Sequence, residues 1–236
     1  MMLDIGREER IKEFGRKYQK KGNIFIPDCM IGIDLFSIDN EKIYSDVFRG
    51  NSWTRNFYNF VFSCMCKGNG GNSNNFGAGY MSAKSTAAAV RYDPTYCGGR
   101  VNQAILASGW TNNVANNSFG IVVGSSDTAF DKDQYAMQAV IAAGTAAGQL
   151  SYAVMAAPTI GYASKIWTVY NYRTFTNGSG GSVTVKEIGI YSYIDLFTNG
   201  QNMMIERTVL SPSIAVANGQ KLQVSYALSM DFSAID

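Results

Sequence analysis

Residues 213–232 read SIAVANGQKLQVSYALSMDF. Leu222, Val224, Tyr226, Leu228, Met230 and Phe232 alternate without a break with Lys221, Gln223, Ser225, Ala227, Ser229 and Asp231. A side-chain period of two sustained over this length demands a long strand with one apolar and one polar face. Asn218-Gly219, just ahead of it, is the pair favoured in a two-residue type I′ turn.

The segments upstream carry the same signature. NMMIERTVL (202–210), SVTVKEIGIYSYI (182–194), KIWTVYNYRTF (165–175) and FGIVVGSSD (119–127) are β-branched or aromatic runs bounded by Gly, Asn and Ser. Within 182–194, Val183 and Val185 share one parity and Ile188 and Ile190 the other, which predicts a β-bulge near Lys186-Glu187. TNGSGG (176–181) has no ionisable side chain and reads as a flexible hairpin loop with no chemistry of its own. The alanines of 131–155 suit a helix, but Gly144 and Gly148 argue against a long one. Strands at this spacing predict a mainly β fold, an antiparallel β-sandwich of jelly-roll or immunoglobulin-like type, over 119–236.

The remainder divides in two. Residues 23–118 are loop-rich. NIFIPDCMIGIDLFSID (23–39) predicts irregular strands or extended chain interrupted at Pro27 and Gly32, and edge strands at most. A short buried helix is expected near 52–65, with Ser52 as N-cap and Trp53, Phe57, Phe60 and Val61 on one face. KGNGGNSNNFGAGY (67–80) is a long Gly/Asn-rich loop that lacks the Gly-Lys-Ser/Thr ending of a phosphate cradle.

Residues 1–22 are expected to form a basic amphipathic helical arm. Seven Lys/Arg against four acids in 1–21 leave 7 − 4 = +3. Leu3, Ile11, Phe14 and Tyr18 fall near one face, and Glu8→Lys12 and Glu13→Lys17 are favourable i,i+4 pairs. Such an arm either docks on its own domain or reaches onto a neighbouring subunit; its apolar stripe is too narrow for a membrane surface.

Composition limits the chemistry. Hydrophobic residues make up 46% of the 236 and charged ones only 16%, so a large core is covered by a neutral polar exterior suited to protein contacts. Histidine is absent, which excludes Ser-His-Asp and Cys-His hydrolysis. A carboxylate-pair hydrolase has no recognisable motif. Net charge of +2 and a basic arm interleaved with acids give no case for nucleic acid. Cys29, Cys64, Cys66 and Cys97 lack paired C-x-x-C spacing, so buried thiols are expected and no metal. No apolar run is long enough to span a bilayer, and the N-terminus lacks a secretory signal pattern. Neither a cofactor nor a catalytic residue is expected.

FGIVVGSSDTAFDKDQYAM (119–137), GQLSY (148–152), YRTFTNGSGGSVTVKEIGIY (172–191) and MMIERTVLSPSIAVANGQKLQVSYALSMDF (203–232) together resemble a type of small structural protein of tailed bacteriophages and prophages. GNSWTRNFYNFVF (50–62) resembles the start of such proteins, so the resemblance covers about residues 50–236. It implies a non-enzymatic component of the virion, made in the host cytoplasm, acting in capsid decoration or cement, the neck or the tail. The partners implied are the major capsid, portal or neck, or tail proteins and copies of the chain itself, with no nucleic acid and no membrane. The residues expected to contact partners are Arg7, Arg10, Ile11, Phe14, Arg16, Lys17 and Tyr18 of the arm, and Trp53, Phe57 and Tyr58, which would lock the segment to the sandwich. The alternative is a tail-tip binder of a host surface glycan. It draws on 14 Tyr and 3 Trp and on the SGWTNN loop (108–113).

Overall fold

The computed structural model describes residues 28–50, 52–58, 83–88, 90–91, 117–194 and 201–232. The protein is mainly β, and its described strands pair antiparallel throughout. The larger sheet runs in the order β2 (Lys42–Gly50), β1 (Asp28–Phe36), β11 (Lys221–Asp231), β8 (Ile166–Thr176) and β6 (Ser151–Tyr152), and β7 (Thr159–Ala163) also pairs with β8. The smaller sheet is β10 (Gln201–Val216), β9 (Val183–Ile194) and β5 (Gly120–Gly124). A separate pair is formed by β3 (Ala83–Lys84) and β4 (Val90–Arg91). One hydrophobic core draws on both large sheets: Ile31 and Ile33 of β1, Val224 and Tyr226 of β11, Ile188 and Ile190 of β9 and Met203 and Ile205 of β10 are fully or almost fully buried in it. Two antiparallel sheets sharing one core is the arrangement of a sandwich.

The alternation in 221–232 does form a strand, β11. Its polar face is not all solvated, however, because Ser225 and Ala227 are also buried. Ala227 packs with Met30 under Val47 and Tyr170 on the outer side of the sheet. The turn before β11 differs from expectation. Only Gly219 has a positive φ (+83°), whereas a type I′ turn needs both central residues there. Nor does it close a hairpin, since β10 and β11 belong to different sheets.

TNGSGG is likewise no hairpin loop. It carries the chain from β8 in one sheet to β9 in the other. The two connections lie side by side: Val183 pairs with Val216 in the smaller sheet, and Thr176 with Lys221 in the larger. Between them Asn177 N–H donates to the Gln220 carbonyl at 2.9 Å and Gly219 N–H to the Asn177 carbonyl at 2.7 Å. A two-stranded ribbon thus bends from one sheet into the other. Asn177 is its corner post, fully buried, with Nδ2 donating to the carbonyls of Val216 (2.6 Å) and Gly181 (2.8 Å). Its Oδ1 accepts from Ser179 N–H and Oγ. Sequence patterning reads turn chemistry, but it cannot tell a hairpin from a ribbon corner, because both need the same residues.

β1 also departs from the expected broken strand. It runs unbroken through Gly32, between β2 and β11, and its continuous burial matches a strand covered on both faces. The predicted irregularity near Lys186 is present, but β10 supplies it. The register shifts between the pairs Glu187↔Val209 and Val185↔Ile214, so Leu210, Ser211, Pro212 and Ser213 stand opposite Lys186. No long helix forms in 131–155, which runs as turns and isolated bridges up to the short strand β6. The helix expected near 52–65 is described only as a single helical turn at 55–58. It begins after Thr54, whose carbonyl accepts from Phe57 N–H, so Ser52 is not its N-cap. Residues 59–65 and the arm, 1–22, lie outside the described residues.

Candidate functional site

Of the residues expected to meet partners, Arg7, Arg10, Ile11, Phe14, Arg16, Lys17 and Tyr18 lie outside the described residues, as does the 108–113 loop. Trp53, Phe57 and Tyr58 are brought together. The rings of Trp53 and Phe57 stack at 4.0 Å, and Tyr58 meets Phe57 edge-on at 5.9 Å. Trp53 and Phe57 face the protein's own interior, and only Tyr58 is exposed. Their segment is held along β10: Thr54 N–H donates to the Ile205 carbonyl (3.0 Å) and Arg207 N–H to the Ser52 carbonyl (3.1 Å). These residues therefore cover one edge of the smaller sheet. Its other edge, β5, is covered by 139–141, where Ile141 N–H donates to the Val123 carbonyl (3.0 Å).

Three groups of buried ionisable side chains belong to no motif in the sequence. Arg207 and Glu187 are both wholly buried and paired at 2.5 Å. Arg207 also donates to Gln134 Oε1 (2.9 Å) and the Thr128 carbonyl (2.8 Å), while Glu187 accepts from Ala139 N–H (2.8 Å). Together they pin the 125–139 segment onto the outer face of the smaller sheet. There a glycine is required in β9, since a Cβ at Gly189 would lie 2.7 Å from the Glu206 carbonyl oxygen and 2.9 Å from Met137 sulfur. Arg173 of β8 reaches across to β5, donating to the carbonyls of Phe119 (2.8 Å) and Ile121 (3.0 Å) and to that of Ala153 (2.8 Å). Burial lowers it to about 10.

Glu206, next to Arg207 along β10, points the opposite way into the core. Its carboxyl bonds Tyr226 Oη at 2.5 Å and the Thr208 hydroxyl. Burial pushes it up to about 7, against the opposing pull of those two hydroxyls. Burial likewise raises the Tyr226 hydroxyl and the Cys29 thiol beside it. A shifted carboxyl beside a tyrosine has the outline of an acid–base pair. Glu206, Tyr226 and Cys29 are at most 1% exposed, however, so no substrate reaches them, and the group serves the core. One signal in the sequence does mark these residues: Glu206 and Arg207 interrupt an apolar strand in a chain with few charges, which demands a buried partner for each.

The exposed chemistry lies elsewhere. β7 and β8 form a hairpin through Ser164 and Lys165, with φ of 52° and 62°. This is the two-residue turn with both central residues left-handed, built without asparagine or glycine. Ile160 (59% exposed), Tyr162 (58%) and Trp167 (48%) share one face of the hairpin, and the Tyr162 and Trp167 rings lie 5.3 Å apart. Unlike the edges of the smaller sheet, β7 pairs only with β8 among the described residues.

No group of three or more metal-ligating side chains occurs among the described residues, and no described helix is long and apolar enough to cross a membrane. No protein-family model, no curated protein and no solved structure matches the chain.

Proposed function

We propose that the chain is a non-enzymatic structural protein of tailed-bacteriophage particles. It is made in the host cytoplasm and built into the virion as capsid decoration or as a neck or tail component. The observation that carries this reading is the contrast between interior and edge. Glu187, Arg207, Glu206 and Arg173 are committed to internal partners, whereas among the described residues β7 offers unpaired backbone beside exposed Ile160, Tyr162 and Trp167. An apolar, uncharged strand edge is a surface for protein contact. The folded ribbon of β8–β9 and β10–β11 favours the jelly-roll kind of sandwich over the immunoglobulin-like kind. The arm, with Arg7, Arg10, Arg16 and Lys17, would anchor the chain on neighbouring subunits.

Quantitative mass spectrometry of purified particles tests the proposal. Copies in fixed ratio to the major shell protein support decoration, and a small fixed number supports the neck or tail. Absence from the particle refutes the virion reading. The exposed Tyr162–Trp167 pair lends some support to a second reading, glycan or receptor binding at a tail tip. Saturable glycan binding by the isolated chain, lost in Trp167→Ala, would favour it.

A further inference from the structure

We infer that β7 is a homodimerisation edge, on which a second copy of this chain adds its own β7 antiparallel about a two-fold axis at Gly161. The backbone pattern sets which groups are free. Phe232 N–H donates to the Lys165 carbonyl (2.9 Å), so the pair Asp231↔Ile166 is one in which Ile166 turns its polar groups away from β11 and toward Ala163. Alternation along β7 then commits Ala163, Gly161 and Thr159 to β8 and aims the N–H and C=O of Ile160 and Tyr162 outward.

With Gly161 opposite Gly161 of the second copy, Ile160 stands opposite Tyr162 at both symmetry-related positions. That register joins the outward N–H and C=O groups into hydrogen-bonded pairs. It also extends one apolar row, Trp167–Tyr162–Ile160–Val169, through the axis, because Tyr162 pairs with Trp167 and Ile160 with Val169 within each hairpin. A surface that complements itself under a two-fold is what an isologous dimer requires.

The opposite edge strand of the same sheet, among the described residues, argues for this occupant by contrast. β2 carries Lys42, Asp46 and Arg49, the charges by which edges resist pairing. β7, Thr-Ile-Gly-Tyr-Ala, carries none, and a foreign strand would find no charge there to select it. The dimer stands independently of the virion reading: particle composition tests the one, and the isolated chain in solution tests the other.

Sedimentation of the full chain over a concentration series should show a monomer–dimer equilibrium. Ile160→Lys and Tyr162→Asp, both at exposed positions, should each weaken it by roughly tenfold or more. Their mixture should recover the dimer. In the mixed pair the register sets the introduced lysine of one copy against the introduced aspartate of the other, and restores Tyr162 to Ile160 at the second position. Gly161→Cys, where a Cβ meets nothing within 4 Å, should cross-link to itself on mild oxidation, and Ile160→Cys should not. A chain that stays monomeric throughout, or a dimer indifferent to both charges, overturns the inference. So does a mixture that fails to recover, with circular dichroism showing both variants folded.

Discussion

Glu206→Gln keeps the shape of the side chain and its hydrogen-bonding capacity toward Tyr226 and Thr208 while removing the titration. In the folded chain burial holds the Glu206 carboxyl at about 7, against an ordinary glutamate value of 4.5. The folded state therefore keeps its proton at pH values where the unfolded chain has lost it. Stability from this group is complete below the unfolded value of 4.5 and declines as pH rises toward about 7, beyond which it changes no further. At about 1.4 kcal/mol per pH unit, that interval corresponds to about 3 kcal/mol. Glu206→Gln should match the wild type near pH 4 and exceed it by up to about 3 kcal/mol above pH 7. Urea unfolding of both proteins at a series of pH values measures the difference, which isolates this carboxyl from every other titrating group. A difference independent of pH, or one that grows as pH falls, would refute the reasoning.

Arg207→Ala, which strands the Glu187 carboxylate in the interior, should cost about 3–5 kcal/mol in urea unfolding, and Arg207→Met with Glu187→Leu should cost less than the sum of the single changes. Asn177→Ala removes the buried side chain that braces the ribbon corner and should lower the unfolding free energy by about 2–3 kcal/mol, read from the same urea titration. Replacing Ser164-Lys165 with Asn-Gly relieves two left-handed residues in the β7–β8 turn and should stabilise by about 1 kcal/mol, seen as a Tm higher by about 2–4 °C.

What the sequence makes legible here is local. The parity of Leu222, Val224, Tyr226 and Leu228 states that β11 is a strand, and Gly124 and Gly219 mark where strands stop. Which sheet a strand joins is decided by partners far away in the chain. Hence Asn218-Gly219 reads as a hairpin and is a corner, while the turn with both central residues left-handed falls on Ser164-Lys165, a pair without the Asn, Asp or Gly that favours that geometry. Gly32 reads as an interruption because its neighbours β2 and β11, which hold β1 straight, are invisible from within 28–36. For the candidate surface, aromatic content points to Trp53 and Phe57, which lie inside. Tyr162 and Trp167 are as aromatic and lie outside, a difference that depends on how far the β7–β8 hairpin projects beyond the core.

The pairing of β1 with β11 governs the order of events during synthesis. The N-terminal hairpin β1–β2 leaves the ribosome early, yet the strand that completes its sheet is the last one described. At ordinary elongation rates of about 5–20 residues per second, Ile31 waits roughly ten to forty seconds for Tyr226. Through that interval the 28–36 segment lacks the partner that pairs its second edge in the folded chain. The larger sheet is finished only when β11 arrives, since β11 joins β1 on one side to β8 on the other. Synthesis of β11 thus sets when the larger sheet can close, whatever the order in which its other strands emerge.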